Sequence, residues 1–218
     1  MSRSVRARAT LPMLSMLVMA TSGCGTTEDS AAANAEQDSH SRFLASLSAH
    51  CGEAFPGRLV LEPDGDTMLT GTELLLLHFH HCDTEEVRIP FHIEVVETGA
   101  WDSSRTWYLM RSGNHLELRH DHRQPDGSED SRTWYGGLAM GGGTANRQDF
   151  ASPERTAAAG APVGWRIEIE PGVHYRYGTT HDGAYDWMIE FDLSESYATK
   201  VPDVWGAEDG PSRIPGPP

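Results

Sequence analysis

Positive charge is scarce in this chain. Its 218 residues include 17 Lys and Arg against 32 Asp and Glu, so the formal net charge is −15 at pH 7. An acidic protein repels the phosphates of DNA and RNA and the headgroups of anionic lipids. The composition therefore argues against nucleic acid as a partner and against a domain that lies flat on an anionic membrane.

Long apolar runs are also missing. The apolar stretch from Leu11 to Ala20 is about ten residues long, whereas a transmembrane helix needs roughly 20. Arg3, Arg6 and Arg8 precede it, and the small residues 21–23 follow it. This order of basic, apolar and small residues is typical of a cleaved export signal. We therefore predict that residues 1–23 are a signal peptide.

The residues around Cys24 resemble the lipobox of bacterial lipoprotein precursors. Thr21 stands where the usual lipobox has Leu, so cleavage as an ordinary secretory signal is the alternative. The resemblance implies acylation of Cys24 and membrane attachment through that lipid anchor. Gly25 after the cysteine, rather than Asp, implies sorting to the outer membrane. The expected location is the bacterial cell envelope, with a periplasmic or secreted protein as the alternative.

Cysteine is rare, and only Cys51 and Cys82 remain beyond Cys24. In an oxidising compartment two remaining cysteines are expected to pair. Their closed loop of about 30 residues would contribute roughly 3–4 kcal/mol in the chain-entropy model. We predict a structural disulfide, and the alternative is a metal-binding role for Cys82 beside His80.

Three segments are expected after the signal peptide. Residues 24–41 have no apolar periodicity and few large side chains, which predicts a flexible tether. Residues 206–218 are rich in proline and predict a disordered tail. The intervening residues 42–205 have an ordinary size for one domain with a single core.

The core pattern predicts an all-β domain after one short helix near Phe43. Side chains alternate between apolar and polar over residues 87–95 and 165–170, and turn signals such as Pro171-Gly172 separate the strands. Successive hairpins without long crossovers favour an antiparallel meander closed as a lipocalin-like barrel, with a β-sandwich as the alternative. Residues 141–162 show no strand pattern and are expected to form a loop or lid.

Several sequence blocks occur in an order that resembles a family of uncharacterised bacterial secreted proteins and lipoproteins. The blocks contain Arg-Thr-Trp (105–107), His-Asp-His-Arg (120–123), Asp-Gly-Ser-Glu-Asp (126–130) and Tyr-Gly-Gly (135–137). The resemblance covers about residues 43–193. It implies export and brings no known activity. The family often has a third histidine where Gln124 stands here, and this departure weakens a metal site in the run.

The candidate metal ligands are four histidines that alternate on two predicted strands: His78, His80, His120 and His122. The first pair continues the face of Leu74 and Leu76, and the second pair shares its face with Leu116 and Leu118. If the two strands face each other, four imidazoles would converge on a divalent metal such as zinc or copper, and haem ligation is a further possibility for these histidines. The alternative is a set of strand-end histidines hydrogen-bonded to nearby carboxylates.

Catalytic motifs are absent from the sequence. No serine stands in a Gly-x-Ser-x-Gly setting, and Gly141-Gly142-Gly143 lacks the strand, helix and lysine of a phosphate loop. No catalytic residue is predicted, and a protein that is not an enzyme is favoured. The leading hypothesis is a non-catalytic β-barrel that binds a small apolar ligand. The alternatives are a structural or interaction lipoprotein with a filled core, which side chains such as Trp107, Tyr175 and Trp187 would fill, and a histidine-based metal-binding protein.

Overall fold

A computed structural model describes residues 26–141 and 143–206. The predicted signal peptide, Cys24 and the tail beyond Gly206 lie outside these residues. Within the described part of the chain, no helix combines the length and the apolar character that crossing a membrane requires.

The described residues form eleven strands and two helices. Their bounds are α1 (Thr26–Ser48), β1 (Ala54–Leu61), β2 (Leu75–His78), β3 (His81–Cys82), β4 (Glu86–Val95), β5 (Ala100–Ser112), β6 (His115–His122), β7 (Tyr135–Leu138), β8 (Arg147–Ala151), α2 (Pro153–Ala159), β9 (Val163–Glu170), β10 (His174–His181) and β11 (Ala184–Asp192). All pairings between strands are antiparallel, which confirms the predicted fold class.

The strand order follows the chain almost without interruption. It runs β7-β6-β5-β4-β2-β1-β11-β10-β9-β8, with β3 paired to β4 beside this path. The first strand thus pairs with the last, as in an up-and-down meander. The two ends of the ladder, β7 and β8, are joined by an isolated bridge between Ala139 and Phe150 and by a 2.7 Å hydrogen bond from Met140 N to Asp149 O. The ladder is therefore barrel-like in order but remains open at this seam.

Two glycines allow close backbone packing on the two sides of β8. A Cβ atom added to Gly137 on β7 would lie 1.8 Å from the carbonyl oxygen of Ala151 on β8. A Cβ added to Gly164 on β9 would lie 2.0 Å from the carbonyl oxygen of Phe150. Any larger residue would force the strands apart, so Gly137 sets the spacing between β7 and β8 at the seam, and Gly164 sets the spacing between β8 and β9.

Aromatic side chains fill the interior of the sheet. Trp107 stacks on Tyr177 with ring centroids 4.1 Å apart, and on Phe91 at 5.3 Å. Tyr175 lies 6.2 Å from Trp107 and 6.0 Å from Phe191. All five belong to one buried core. They pack against one another on the inner face of the sheet.

Helix α1 is longer than the short helix that the sequence predicts. Its last turns bury Phe43, Leu44 and Leu47 in the core. Its first turns include most of the segment predicted as a tether, from Thr26 onward. The apolar pattern was too sparse there to indicate a helix, but the alanine-rich composition has high helix propensity. Once the buried end has nucleated the helix, each further residue adds at little cost.

A disulfide joins the end of this helix region to the sheet, as predicted. Cys51 and Cys82 are bonded, and their Cα atoms are 6.0 Å apart. The bond connects the turn after α1 to β3.

The predicted loop at residues 141–162 contains β8 and α2. Only Gln148 and Phe150 of β8 are buried, which is too short an alternation for a sequence pattern to identify. Helix α2 buries no side chain.

A C-terminal strap, residues 194–206, follows β11 across the outside of the sheet. Near its start, the N–H of Tyr197 donates to the carbonyl oxygen of Ala54 at 2.7 Å. At its end, Gly206 has a φ of 70°, and a Cβ there would lie 2.7 Å from the carbonyl oxygen of Gly127. The strap therefore connects the beginning of β1 with the loop after β6.

One row of outward-facing residues connects the two places where the strap contacts the sheet and the loop after β6. Strand register places it on β1, β2, β4, β5 and β6: Ala54, His78, Pro90, Thr106 and Asp121. Four strand spacings amount to about 19 Å, and the extended chain from Tyr197 to Gly206 reaches about 30 Å. The strap is thus long enough to span the row. Ala54 and Asp121 are each 3% exposed although they face away from the core.

Candidate functional site

The side chain of His120 points to the inner, core-facing side of the sheet, and both of its ring nitrogen atoms are hydrogen-bonded. Its Nδ1–H donates to the carbonyl oxygen of Tyr135 at 3.1 Å, so its Nε2 accepts from the hydroxyl of Tyr177 at 2.5 Å. Its ring stacks on Tyr135 at 4.7 Å and packs against Trp165 at 4.9 Å. Burial lowers the pKa of His120 to about 3, so the imidazole is neutral at pH 7. Both nitrogen atoms are engaged, and neither is free for a metal.

His122 lies two residues further along β6, near the end of the strand. Its Nε2 and the hydroxyl of Tyr135 are 3.1 Å apart. Burial and then the charge of Arg105 lower the pKa of His122, while Asp130 and Asp121 raise it. The two histidines of β6 are therefore linked through opposite ends of one tyrosine, which the sequence pattern did not identify as a partner.

Two arginines cover the aromatic wall beside these histidines. The guanidinium carbon of Arg132 lies 5.6 Å from the ring centroid of Tyr135, and that of Arg155 lies 5.7 Å from the ring of Trp165. The rings of Tyr135 and Trp165 are 6.1 Å apart. We call this group the cationic mouth: Arg132, Arg155, Tyr135, Trp165 and His122. Such stacking is a favourable cation–π arrangement.

His78 and His80 form a separate cluster on the outer face. Their rings are 5.1 Å apart, and His92 lies 6.4 Å from His78. His92 is fully buried, and its Nδ1 is 2.8 Å from the hydroxyl oxygen of Ser103. Burial first, and neighbouring histidines second, lower the pKa values of His78 and His92 to about 4. The Nδ1 of His78 and the Nε2 of His92 have no hydrogen-bond partner.

The four predicted metal ligands do not converge. The core-facing residues of β2 are Leu75 and Leu77, followed by Phe79, so His78 and His80 point outward while His120 points inward. The expectation was wrong about this face because residues 74–77 are all leucine, and an unbroken apolar run does not reveal which face is inside. Among residues 26–141 and 143–206, no group of three or more His, Cys, Asp or Glu could hold a metal ion.

An ion pair is buried at the end of the outer-face row. Arg123 Nε donates to both carboxylate oxygens of Asp121, at 3.0 and 2.9 Å. The hydroxyl of Thr133 donates to the same carboxylate at 3.0 Å and accepts from the N–H of His122 at 2.8 Å. The Asp121–Arg123 pair therefore lies within a satisfied network beneath the strap.

A groove of about 650 Å³ runs between α1 and the turn before β4. Leu44, Ala45 and Cys82 line its apolar side, and Glu85 and Arg111 line its polar side. The Arg111 and Glu85 side chains are 3.9 Å apart. The groove is open to solvent and lies outside the sheet, away from the predicted interior ligand site.

No protein-family model matches this chain, and neither the curated proteins nor the solved structures yield a match. The function is therefore argued from the residues and their geometry.

Proposed function

We propose that this protein is a non-catalytic lipoprotein of the bacterial envelope, whose β domain has a filled core and acts through its outer surface in a structural or interaction role. The proposal rests on the aromatic stack around Trp107. This choice favours the filled-core hypothesis over the barrel that holds a small apolar ligand.

The packing of Trp107 carries this choice. Tyr177 at 4.1 Å and Phe91 at 5.3 Å cover its two sides, and Trp107 is 3% exposed. Pockets for small molecules usually enclose about 300–1,000 Å³. A ligand of that size would have to displace several stacked rings. The loss of their packing would cost more than an apolar ligand could restore.

The arrangement of titratable groups supports a role without catalysis. His120 is neutral and has both nitrogens engaged, which suits a structural partner better than a general base. Asp121 and Arg123 neutralise each other below the strap. A catalytic pair would instead present an accessible group near a substrate.

Attachment through Cys24 is the second part of the proposal. The Cys51–Cys82 disulfide is compatible with an oxidising compartment outside the cytoplasm. The acidic charge disfavours attachment by the domain surface, so a covalent lipid would supply it.

A fluorescent apolar probe tests the filled core. The mature chain is titrated with 1-anilinonaphthalene-8-sulfonate, and Trp107→Ala, which removes the central ring, is titrated in parallel. We expect no saturable binding to the wild type and binding to the variant, because the deletion leaves a cavity. Saturable one-site binding to the native wild type that is weakened in Trp107→Ala would favour the interior ligand site instead.

Cell fractionation tests the anchor. The wild type should be recovered with membranes and extracted by detergent, whereas Cys24→Ala should be recovered in the soluble fraction. Equal membrane retention of both forms, with the variant correctly exported, would rule out the anchor.

A further inference from the structure

Two arginines stand apart from all others in the described chain. Ten of the twelve arginines in residues 26–141 and 143–206 form ion pairs with carboxylates: Arg42, Arg58, Arg88, Arg105, Arg111, Arg119, Arg123, Arg147, Arg166 and Arg176. Arg132 and Arg155 have aromatic rings as their contacts instead. In a chain with 32 acidic residues, this pattern leaves two positive charges uncompensated.

Both uncompensated charges belong to the cationic mouth. Arg132 lies over Tyr135 and Arg155 lies over Trp165, and these two rings are neighbours 6.1 Å apart. The arginines come from different parts of the chain, the loop before β7 and helix α2. The fold brings them to one aromatic wall.

The electrostatic environment of the Tyr135 hydroxyl is positive. Burial raises the pKa of Tyr135, and the charges of Arg132, Arg105 and Arg155 oppose this rise. Three carboxylates are also near the mouth. Asp102 pairs with Arg105 at 2.7 Å, Asp121 pairs with Arg123 at 2.9 Å, and Asp130 accepts from the backbone N–H of Arg132 at 2.9 Å. These three carboxylates form no ion pair with the guanidinium groups of Arg132 and Arg155, which keep their charge available.

We propose that the cationic mouth binds a phosphate group, held between Arg132 and Arg155 against Tyr135. A guanidinium group presents a planar fork of N–H donors that matches the oxygens of a phosphate, and aromatic stacking orients that fork in advance. The Tyr135 hydroxyl adds a further donor when His122 releases it. The phosphate is either free in solution or part of a lipid headgroup. This site goes beyond the surface role proposed above and does not depend on it.

Calorimetric titration with inorganic phosphate tests the site. The mature chain is titrated in a phosphate-free buffer, alongside Arg132→Gln and Arg155→Gln. We expect one saturable site, with Kd raised roughly tenfold or more in each variant, because each loses a charge-assisted hydrogen bond. Arg132→Lys should fall between the wild type and Arg132→Gln because it keeps the charge but loses the fork.

Arg58→Gln is the matched control. Arg58 is also an exposed arginine, but it is paired with Glu190, and neither residue belongs to the cationic mouth. Phosphate affinity should not change in this variant. All variants should keep the wild-type far-UV circular dichroism and unfold cooperatively in urea. Absence of saturable binding, or equal affinity in the wild type, both glutamine variants and the control, would overturn the proposal.

Vesicle flotation distinguishes the two sources of phosphate. Cys24→Ala protein is mixed with phosphatidylglycerol vesicles, or with phosphatidylcholine vesicles as the neutral reference. Binding to phosphatidylglycerol that is lost in Arg132→Gln supports a lipid headgroup. If the protein binds inorganic phosphate saturably but does not bind the vesicles, the natural ligand is a soluble phosphate compound.

Discussion

The outer face of the sheet has two halves that differ in how far their charged and polar side chains are exposed to solvent. Over β1 and β8–β11, charged side chains meet solvent in a ladder of cross-strand pairs. Glu190 accepts from Arg58 and from Arg176, both at 2.7 Å. Arg166 on β9 is an exception in this half, because it donates to Asp149 at 2.5 Å and is itself only 8% exposed. This open half resembles the polar face of an ordinary antiparallel sheet.

The other half, over β2 and β4–β6, is covered. Gly206 of the strap lies against the Arg123 side chain beside Asp121, and the ring of Trp101 lies 6.4 Å from that of His92. His92 and Asp121 are at most 3% exposed. Some polar groups here hydrogen-bond to one another, as Asp121 and Arg123 do. Others have no hydrogen-bond partner, such as the Nε2 of His92. Charge in the open half contributes little to stability, whereas each buried polar group in the covered half is sensitive to the loss of its partner.

Breaking an ion pair in each half should give the largest contrast. Asp121→Ala removes the nearest carboxylate from the buried Arg123, which still has Glu129 at 3.6 Å, and removes the acceptor of Thr133. We expect a loss of about 3 kcal/mol in the free energy of unfolding, the lower end of the range for breaking a buried pair. Arg58→Ala, which breaks an exposed pair of the open half, should cost no more than about 1 kcal/mol. Urea denaturation measures both, and equal losses would contradict the division into halves.

Acid should weaken the covered half. The pKa of His92 is about 4 in the folded protein, below the ordinary value of 6.5. Between these values the unfolded chain takes up a proton that the folded chain does not. The contribution of His92 to stability is therefore complete above pH 6.5 and falls as the pH decreases to about 4, by about 3 kcal/mol.

His92→Gln should remove this part of the acid dependence, because glutamine does not titrate. The wild type, measured under the same conditions, is the reference for this variant. Urea titrations at a series of pH values from 7 to 4 give the comparison. If the free energy of unfolding of His92→Gln decreased with acid as steeply as that of the wild type, protonation of His92 would not be the cause of the acid dependence.

The smallest effect concerns the end of the strap. Gly206 and Gly172 both have positive φ, at 70° and 75°. A Cβ at Gly206 meets the carbonyl oxygen of Gly127, whereas a Cβ at Gly172 meets nothing within 4 Å. Alanine at either position should cost about 1 kcal/mol for the backbone conformation, and Gly206→Ala should also loosen the strap.

Limited proteolysis measures that loosening. The strap should be cleaved faster in Gly206→Ala than in Gly172→Ala at equal global stability. Identical cleavage rates would mean that the contact at Gly127 does not hold the strap.

Alternation predicted much of the sheet because most strands have one buried and one polar face. The pattern of residues 165–170 placed Trp165, Ile167 and Ile169 on one side, and the structure buries all three. The pattern did not show which side chains of β2 face the core, because four consecutive leucines have no alternation between apolar and polar residues. It also missed β8, which has only two buried side chains.

The candidate site was only half accessible to sequence reasoning. The sequence pattern placed His120 and His122 on one strand, as the structure does. Side chains two residues apart on a strand point to the same face. Their partners Tyr135, Tyr177 and Trp165 come from three other strands, and no local pattern carries such distant contacts. The covered half was equally hidden, because a strap that crosses strands leaves no periodic signal.

The pairing of β1 with β11 has a consequence for how the domain can form. Arg58 and Glu190 are partners 132 residues apart. The first strand therefore has no neighbour on one edge until almost the whole domain has been made, and such long-range pairing slows folding. A polypeptide emerging in order stays without its final architecture throughout its synthesis.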